Sequence, residues 1–377
     1  MATAGQDGIE AMTLAIRNLV QDRTRLLLSV AGVALATMLV LLLNGFVTGF
    51  NQQLSTYADH TPGSVVALQK GGRNLLVSTS LIPPTSREQV RAVDGVEEAI
   101  PVLLRTTILE LQGQRRAIYL VGYDRALGGG PWKLTAGREP AADDEVVLDR
   151  VLASRHDLVV GGTVRILGRS FTVSGLSDQT TSWMLSFAFL RKGAAESLFL
   201  TPGATSLLLV KPSPGVAPET VRDRLRERTG LGAELKATLA ENDRQFFLRY
   251  FSPPIQLMAA IASLVGALVV GLVLYTATIE RQREYGMLKA IGARGRTLYR
   301  VTLLQALAVT ALGVLPGVGL AFAASGLIEA LRPQFSNAYD ARSVATAIAA
   351  SFVMALVATL LPTRVIARLA PADVFRR

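Results

Sequence analysis

The sequence predicts a membrane protein of four transmembrane helices with an α+β domain inserted between the first and the second. Four apolar runs, none containing Asp, Glu, Lys or Arg, carry this prediction: residues 26–46, 255–279, 301–328 and 344–361. An α-helix needs about 20 apolar residues to cross a hydrocarbon core of about 30 Å. A single charge at mid-helix would cost about 2.5 to 3.5 kcal/mol on insertion. Helices of soluble proteins average about 11 to 12 residues, so burial in a globular core explains these runs poorly.

Basic residues near the ends of the apolar runs predict the orientation of the chain. Residues 1–25, 280–300 and 362–377 hold three, six and four of them, whereas the loop 329–343 holds two. Short loops rich in Lys and Arg stay on the cytoplasmic side. We therefore expect both termini and the loop 280–300 to be cytoplasmic. The loop 329–343 and the large segment 47–254 are expected to be extracytoplasmic.

The net charge of +10 fits this topology. In a soluble chain such an excess would suggest nucleic-acid binding, because clustered cations bind phosphate. Here 280–300 carries +4 and 362–377 carries +3, both beside the inner leaflet. Anionic lipid accounts for this placement, so membrane lipid is an expected partner and nucleic acid is not. Apolar residues at helical spacing within 1–25 predict a cytoplasmic amphipathic helix on the membrane surface. The alternative is a longer first transmembrane helix.

The extracytoplasmic segment contains two similar strand–helix–strand patterns around a β-rich insert at about 112–200. The first pattern comprises the letters SVVALQ, a helical stretch at 86–93 and an apolar run at 96–111. The second comprises 206–210, 218–228 and 232–235. Paired units of this kind predict a split α+β sandwich. The chain has no cysteine, so packing alone must stabilise this domain.

The chain shows no pattern typical of an enzyme. It has no G-x-x-x-x-G-K-[ST] loop to hold ATP, because that loop supplies the backbone cradle and the lysine for the phosphates. His60 and His156 stand alone, without metal-ligand spacing. The acidic run at 143–145 is typical of a solvated turn. We therefore predict no catalytic, cofactor-binding or metal-binding residue on this chain.

Small residues recur every four positions in the third apolar run, at Gly313, Gly317, Ala321 and Ser325. Such a face permits close helix contact in a membrane. The alternative is the generally high use of Ala and Gly in membrane helices. Pro316 and Gly317 together predict a kink, because proline removes a helical hydrogen bond and glycine lacks a side chain.

The loop 280–300 combines charge with an apolar stripe. Tyr285, Leu288 and Ile291 fall three apart, which places them on one face of a short helix that Gly292 can terminate. An apolar stripe facing the cytosol indicates a protein partner that receives the helix in a groove. The alternative is a charged loop lying on lipid.

Three segments resemble one known family: LAIRNLVQDRTRLLLSVAGVALA near the N-terminus, ERQREYGMLKAIGA in the middle loop, and LPTRVIARLAPADVF at the end. With the order of the four spans, they are similar to the permease subunits of MacB/FtsX-type ABC transporters. The resemblance covers nearly the whole chain and implies a prokaryotic cell (inner) membrane. It also implies a porter-like subdomain for the paired units and a second, β-rich subdomain for the insert.

The resemblance implies that the middle loop is a coupling helix docked on a separate ATPase subunit. ATP and Mg²⁺ would then be bound by that partner, because this chain lacks the fused ATPase domain of MacB. The partners implied are two ATPase copies, a second permease copy or homologue, and an extracytoplasmic adaptor or substrate-binding protein. The residues implied in ATPase coupling are Glu280, Arg281, Arg283, Glu284, Tyr285, Gly286, Met287, Leu288, Lys289, Ala290, Ile291 and Gly292.

The function implied is mechanotransmission: ATP hydrolysis in the partner moves the extracytoplasmic domains, for export or extraction of a hydrophobic or envelope-associated substrate. The uncharged spans agree with this function, since they contain no ionisable residue to line an ion path. Two alternatives remain open at this point. One is an FtsX-like regulator of a cell-wall hydrolase, and the other is a membrane sensor with a ligand-binding outer domain.

Overall fold

The computed structural model describes residues 23–76, 80–111, 113–182, 185–280, 283, 287, 295–331, 337–360 and 364. The chain divides into two compact units. The inserted unit is Phe50–Tyr250, and the helical unit comprises the described residues before and after it. The amphipathic helix predicted for 1–25 lies outside the described residues, apart from its last three positions.

The described residues form nine helices. In chain order they are α1 (Arg23–His60), α2 (Ser86–Arg91), α3 (Arg150–Ser154), α4 (Lys192–Phe199), α5 (Pro218–Thr229), α6 (Lys236–Tyr250), α7 (Ser252–Glu280), α8 (Gly295–Leu331) and α9 (Ala341–Ala358).

The described residues also form eleven strands. They are β1 (Val65–Leu68), β2 (Val96–Leu111), β3 (Gln114–Tyr123), β4 (Leu134–Gly137), β5 (Glu145–Asp149), β6 (Thr163–Ile166), β7 (Arg169–Ser177), β8 (Thr181–Ser182), β9 (Leu185–Arg191), β10 (Leu207–Pro212) and β11 (Gly232–Leu235).

Four of the helices are long and apolar enough to cross a membrane. These candidate spans are Leu26–His60, Ser252–Glu280, Tyr299–Leu331 and Ala341–Ala358. They contain the four uncharged runs, apart from the last three residues of the fourth run, of which 361 lies outside the described part of the chain. The predicted fold class, four membrane helices with an α+β domain between the first and the second, is confirmed.

The first helix continues well beyond its apolar run. Residues 47–60 are mostly polar, but α1 does not end until His60. Phe50, Leu54 and Tyr57 recur at helical spacing and are almost fully buried in the inserted unit. Burial of this stripe explains the extension, because packing of an apolar face supplies most of the stability of helices in proteins.

One sheet runs through the inserted unit. Its strand order is β11-β1-β10-β2-β3-β9-β5-β7-β4, with β6 pairing with β2 and β7, and β8 pairing with β9. The first four strands are antiparallel and contain the two predicted strand–helix–strand units, β1–α2–β2 and β10–α5–β11. Their helices bury Val90, Val221 and Leu225 against the sheet.

The strand β2 joins the paired units to the β-rich insert. Its first half, 96–102, pairs with β10, and its second half, 103–111, pairs with β3. The insert therefore continues the same sheet. A second core fills the insert, where Leu109, Ile118, Ile166 and Phe171 are at most 1% exposed.

A buried carboxylate fixes the loop that follows β1. Asp243 of α6 is 1% exposed. Its Oδ2 accepts hydrogen bonds from the backbone N–H groups of Leu75 and Leu76 at 3.0 and 3.1 Å, and its Oδ1 accepts one from Asn74 at 2.9 Å. Buried charges are stable only with such partners, so this contact holds the loop against α6.

A second carboxylate, Glu145, organises the turn before β5. Its Oε2 accepts hydrogen bonds from the Arg138 guanidinium at 2.7 Å and from the Ala141 N–H group at 2.7 Å. These bonds favour the charged form, the arginine first, and lower the pKa of Glu145 from 4.5 to about 2. Of the acidic run predicted as a solvated turn, Asp143 and Asp144 are exposed and Glu145 is half-buried.

The lowered pKa predicts a pH-dependent contribution of Glu145 to stability. A carboxylate with a depressed folded-state pKa stabilises the fold above its unfolded pKa, and loses that contribution as pH falls through the folded value. We expect Glu145→Gln to lower the thermal unfolding midpoint of the inserted unit at neutral pH. The difference between the two unfolding midpoints should disappear as the pH falls from 4.5 to about 2.

The measurement is thermal unfolding of the full chain followed by near-ultraviolet circular dichroism across that range. Glu97→Gln is the matched control, because Glu97 is exposed and forms no ion pair with any described residue. If the unfolding midpoint of Glu145→Gln stays below that of the wild type by the same amount at every pH, the lowered pKa of Glu145 is contradicted.

Candidate functional site

The segment predicted to contact an ATPase is described at three of its positions. Glu280, Arg283 and Met287 are all exposed, Met287 by 47%. The other predicted contact residues lie outside the described part of the chain: Arg281, Glu284, Tyr285, Gly286, Leu288, Lys289, Ala290, Ile291 and Gly292. Their role stays a prediction.

The small-residue face of α8 lies directly against α1. A Cβ atom added at Gly313 would stand 2.7 Å from Cβ of Val33, and one at Gly317 would stand 2.7 Å from the carbonyl oxygen of Ala34. Both distances are too short for real Cβ contacts, so the two backbones touch at positions without side chains. This is the kind of contact that holds helices together in lipid.

The rest of that face is also buried. Ala321 is fully buried and Ser325 is 5% exposed. Pro316 lies within α8 on its exposed side, one residue before Gly317. The kink predicted at this pair stays a prediction.

The helix α7 approaches α1 through two further glycines. An added Cβ at Gly266 would stand 2.5 Å from Cβ of Ala36, and one at Gly32 would stand 2.9 Å from Cγ1 of Val269. One glycine comes from each helix, and the close approach extends over about one turn. The helix α1 therefore meets α7 on one side and α8 on another.

Beside this contact, α1 and α7 form an open apolar groove of about 430 Å³. Its larger side chains are well exposed, for example Leu35 by 56%, Ile261 by 52% and Val265 by 53%. No lining residue carries a charge or a side-chain polar group. The lining residues are Gly32, Leu35, Ala36, Leu39, Leu43, Met258, Ile261, Ala262, Val265, Gly266 and Val269.

The helix α9 contacts α1 through polar side chains. Thr37 and Ser351, both fully buried, share a hydrogen bond of 2.8 Å. Thr48 and Ser343 share another of 3.1 Å, and Asn44 donates one of 3.4 Å to Thr346. The three pairs run along the antiparallel helices and fix their register. Hydrogen bonds of this kind contribute about 0.6 kcal/mol each between membrane helices.

In the inserted unit, the end of α1 packs into an aromatic cluster. The Tyr57 ring stacks on Phe187 at 5.3 Å between centroids, and its hydroxyl donates to the Gly129 carbonyl at 3.2 Å. Trp132 meets the edge of Tyr57 at 6.2 Å, and His60 stacks on Trp132 at 5.1 Å. His60 thus packs against an aromatic ring.

The inserted unit also contains a polar cleft of about 660 Å³. Its three cationic side chains are each paired with a neighbouring carboxylate, so the cleft has no surplus positive charge to select an anion. The pairs are Arg125–Glu139, Arg191–Asp143 and Lys192–Glu196. Within the described residues no group of three His, Asp or Glu side chains could hold a metal ion.

The surroundings of His156 disfavour protonation of its imidazole ring. The residue is 7% exposed. Burial, followed by the charges of Arg116 and Arg155, lowers the pKa of His156. Both effects disfavour the charged form of the imidazole.

The glycine contacts predict a sharp contrast between two neighbouring positions of α8. Gly317→Ala should destabilise the helical unit by about 1 to 3 kcal/mol, because the added methyl group overpacks the contact with α1. Gly319→Ala is the matched control, since an added Cβ there has nothing within 4 Å. That change should be neutral or stabilise by up to about 1 kcal/mol, because alanine forms helices better than glycine.

The measurement is the thermal midpoint of the detergent-solubilised chain, read from the monodisperse peak in size-exclusion chromatography. Equal midpoints for the two variants would show that α8 does not contact α1 at Gly317.

Two protein-family models match the chain. The MacB-like periplasmic core domain matches residues 26–228, and the FtsX-like permease C-terminal model matches residues 257–371. The first alone covers more than half of the 377 residues. The second contains the middle loop, the third and fourth spans, and all but the first five residues of the second span.

Three relatives illustrate the range of similarity. An uncharacterised ABC transporter permease of Mycobacterium tuberculosis (strain ATCC 25618 / H37Rv) is 25% identical over 361 residues, 96% of this chain and 98% of that protein. A Staphylococcus haemolyticus (strain JCSC1435) protein, provisionally named hemin transport system permease protein HrtB, is 22% identical over 324 residues, 85% of this chain and 87% of that protein. The macrolide export ATP-binding/permease protein MacB 1 of Yersinia pestis bv. Antiqua (strain Antiqua) is 32% identical over 121 residues, 32% of this chain and 19% of that protein.

The family model, the four candidate membrane spans and the α+β unit between the first two agree with one another and with the motifs of the sequence. The chain belongs to the ABC transporter permeases of the MacB/FtsX type.

Proposed function

We propose that this permease transmits force: a separate ATPase subunit binds residues 280–292, and ATP hydrolysis there moves the inserted units. One observation carries the proposal. The helix α1 is continuous from Arg23 to His60 and supplies buried side chains to the cores of both units. Leu41 is fully buried in the helical unit, and Tyr57 is fully buried in the inserted unit. A displacement of α1 therefore acts on both cores.

The coupling loop supports the ATPase as partner. It connects α7 to α8, the two helices that meet α1 through glycine contacts. A displacement of the loop would therefore reach α1 through both of these helices. Leu288 and Ile291 supply an apolar stripe for docking. The relative MacB 1 of Yersinia pestis is named as both an ATP-binding protein and a permease. For this chain we propose two ATPase copies, which bind ATP and Mg²⁺, and two permease copies.

The groove between α1 and α7 supports a hydrophobic substrate. Its volume of about 430 Å³ lies within the range of ligand pockets. Its entirely apolar lining could not hold an ion or a sugar, because a polar group buried there would have no hydrogen-bond partner. The name of HrtB refers to hemin transport, and hemin has a large apolar ring. We propose export or extraction of a hydrophobic or envelope-associated compound.

The distribution of basic residues supports the orientation of the chain in a prokaryotic cell membrane. Both termini and the coupling loop are then cytoplasmic, and the inserted unit is extracytoplasmic. An ATPase can reach the coupling loop only on the cytoplasmic side. An adaptor or substrate-binding protein would contact the inserted unit from outside.

The docking stripe predicts a loss of partner binding in one variant. Leu288→Asp combined with Ile291→Asp should release the ATPase, because two charges on the stripe cannot enter an apolar cleft without losing their water. The measurement is co-purification of an ATPase carrying the phosphate-binding loop with the tagged permease. Membrane insertion should be unchanged, because both residues lie outside the spans.

Val159→Asp is the matched control, since it introduces the same charge at a side chain of the inserted unit that is 67% exposed. The control should retain the ATPase. If the double variant also retains it, the contact assignment is wrong. Co-purification of a kinase instead of an ATPase would support the sensor alternative.

The groove predicts a second effect, on substrate response. Val265→Trp should fill the groove and abolish the stimulation of ATP hydrolysis by a total lipid extract of the host membrane, while basal hydrolysis remains. Leu272→Trp is the control, because Leu272 is 60% exposed on the same helix and does not line the groove. The measurement is phosphate release by the reconstituted complex. Equal stimulation in both variants would contradict a substrate site in the groove.

A further inference from the structure

The helix α6 changes character at its C-terminal end. Through most of its length it is an ordinary amphipathic helix, with Leu239, Asp243 and Phe247 buried along one face. Exposed positions in the same part are small or polar, such as Thr238 and Gln245. This pattern is that of a helix lying between a protein core and water.

The last turn departs from this pattern. Leu248 is 37% exposed and Tyr250 is 60% exposed. The Tyr250 ring packs on that of Phe246, with 4.7 Å between centroids. Two large side chains are thus directed away from the core, although the sequence could have placed polar residues there as it did three positions earlier.

A cation lies between these two side chains. Arg249 is exposed and forms no ion pair with any described residue. The other arginine of the helix, Arg244, is paired with Glu241 one turn earlier. The last turn therefore carries an aromatic ring, an aliphatic side chain and a guanidinium without an acidic partner among the described residues. They point to different sides of the helix but lie within one turn of each other along its axis.

The last turn of α6 lies next to a candidate membrane span in the sequence. The helix α7, a candidate membrane span, begins at Ser252, and its uncharged run begins at residue 255. The first three residues of α7 precede the apolar run and account for about 5 Å at about 1.5 Å per helical residue. Tyr250 lies just before them, across the one-residue turn at 251. The headgroup layer on each side of the hydrocarbon core is about 5 to 8 Å deep. The last turn of α6 lies at this distance.

We propose that the last turn of α6, Leu248, Arg249 and Tyr250, is a lipid-binding anchor in the headgroup layer of the leaflet into which α7 inserts. Tyrosine is enriched at this depth because its ring is apolar and its hydroxyl is polar. Leu248 contacts the upper acyl chains, and Arg249 binds lipid phosphate with several N–H donors. The anchor fixes the height of the end of α6 above the membrane. It does not depend on the ATPase or on the substrate.

The absence of native cysteine allows a direct test. Single nitroxide labels are placed at Leu248→Cys and, as the matched control, at Thr238→Cys, which is exposed three turns earlier on the same helix. The full chain is reconstituted in phosphatidylglycerol vesicles. Power-saturation spectroscopy then compares collisions of each label with oxygen, which concentrates in lipid, and with a water-soluble nickel chelate.

We expect a several-fold higher oxygen-to-nickel ratio at 248 than at 238. Adding Arg249→Gln to the Leu248→Cys variant should shift that ratio toward the value at 238, whereas adding Arg244→Gln should leave it unchanged. Equal ratios at 248 and 238 would place the turn in water and overturn the proposal. A label at 248 shielded from both reagents would mean that protein covers the turn, which would also overturn it.

Discussion

The helical unit depends on how closely other backbones can approach α1. In lipid the hydrophobic effect does not drive helices together, so van der Waals contact and hydrogen bonds must do so. Gly32 of α1 and Gly266 and Gly317 of its neighbours remove the side chains that would separate the helices. On the side of α1 that faces α9, hydrogen bonds between hydroxyl groups, such as Thr37 with Ser351, fix the register of the two helices. Two neighbours of α1 thus contact it through glycines and the third through hydroxyl groups, and a change at α1 affects all three.

The inserted unit uses the ordinary hydrophobic effect, and α1 takes part in both environments. Its run 26–46 is uncharged and suited to lipid, whereas its last turns alternate buried apolar side chains with polar ones. Tyr57 lies among aromatic rings there, and Asp243 of α6 holds the loop that follows β1. The two helices through which the chain enters and leaves the inserted unit are therefore both fixed by specific contacts.

Much of this fold could be predicted from the sequence, because the strongest signals are local. Uncharged runs identify the four spans, and the bounds predicted for β2 and β11 match the structure. The end of α1 could not be predicted, because Phe50 and Leu54 stand among polar residues and only the tertiary core explains their burial. The strand β9 lies within the predicted β-rich insert but could not be singled out, since a short buried run such as LSFAFLR does not distinguish strand from helix. In the helical unit, the small-residue face of α8 was visible in the sequence, whereas Gly32 and Gly266 were not, because single glycines in apolar runs carry no spacing signal.

The strand β2 has a mechanical consequence. It is hydrogen-bonded to β10 along its first half and to β3 along its second, with both partners antiparallel to it. A force directed along the strand axis would load all of these interstrand hydrogen bonds in shear at the same time. They would therefore have to break together. A force perpendicular to the strand would break the hydrogen bonds one after another, and a far smaller force would suffice. This strand can therefore carry tension between the two halves of the sheet without unravelling.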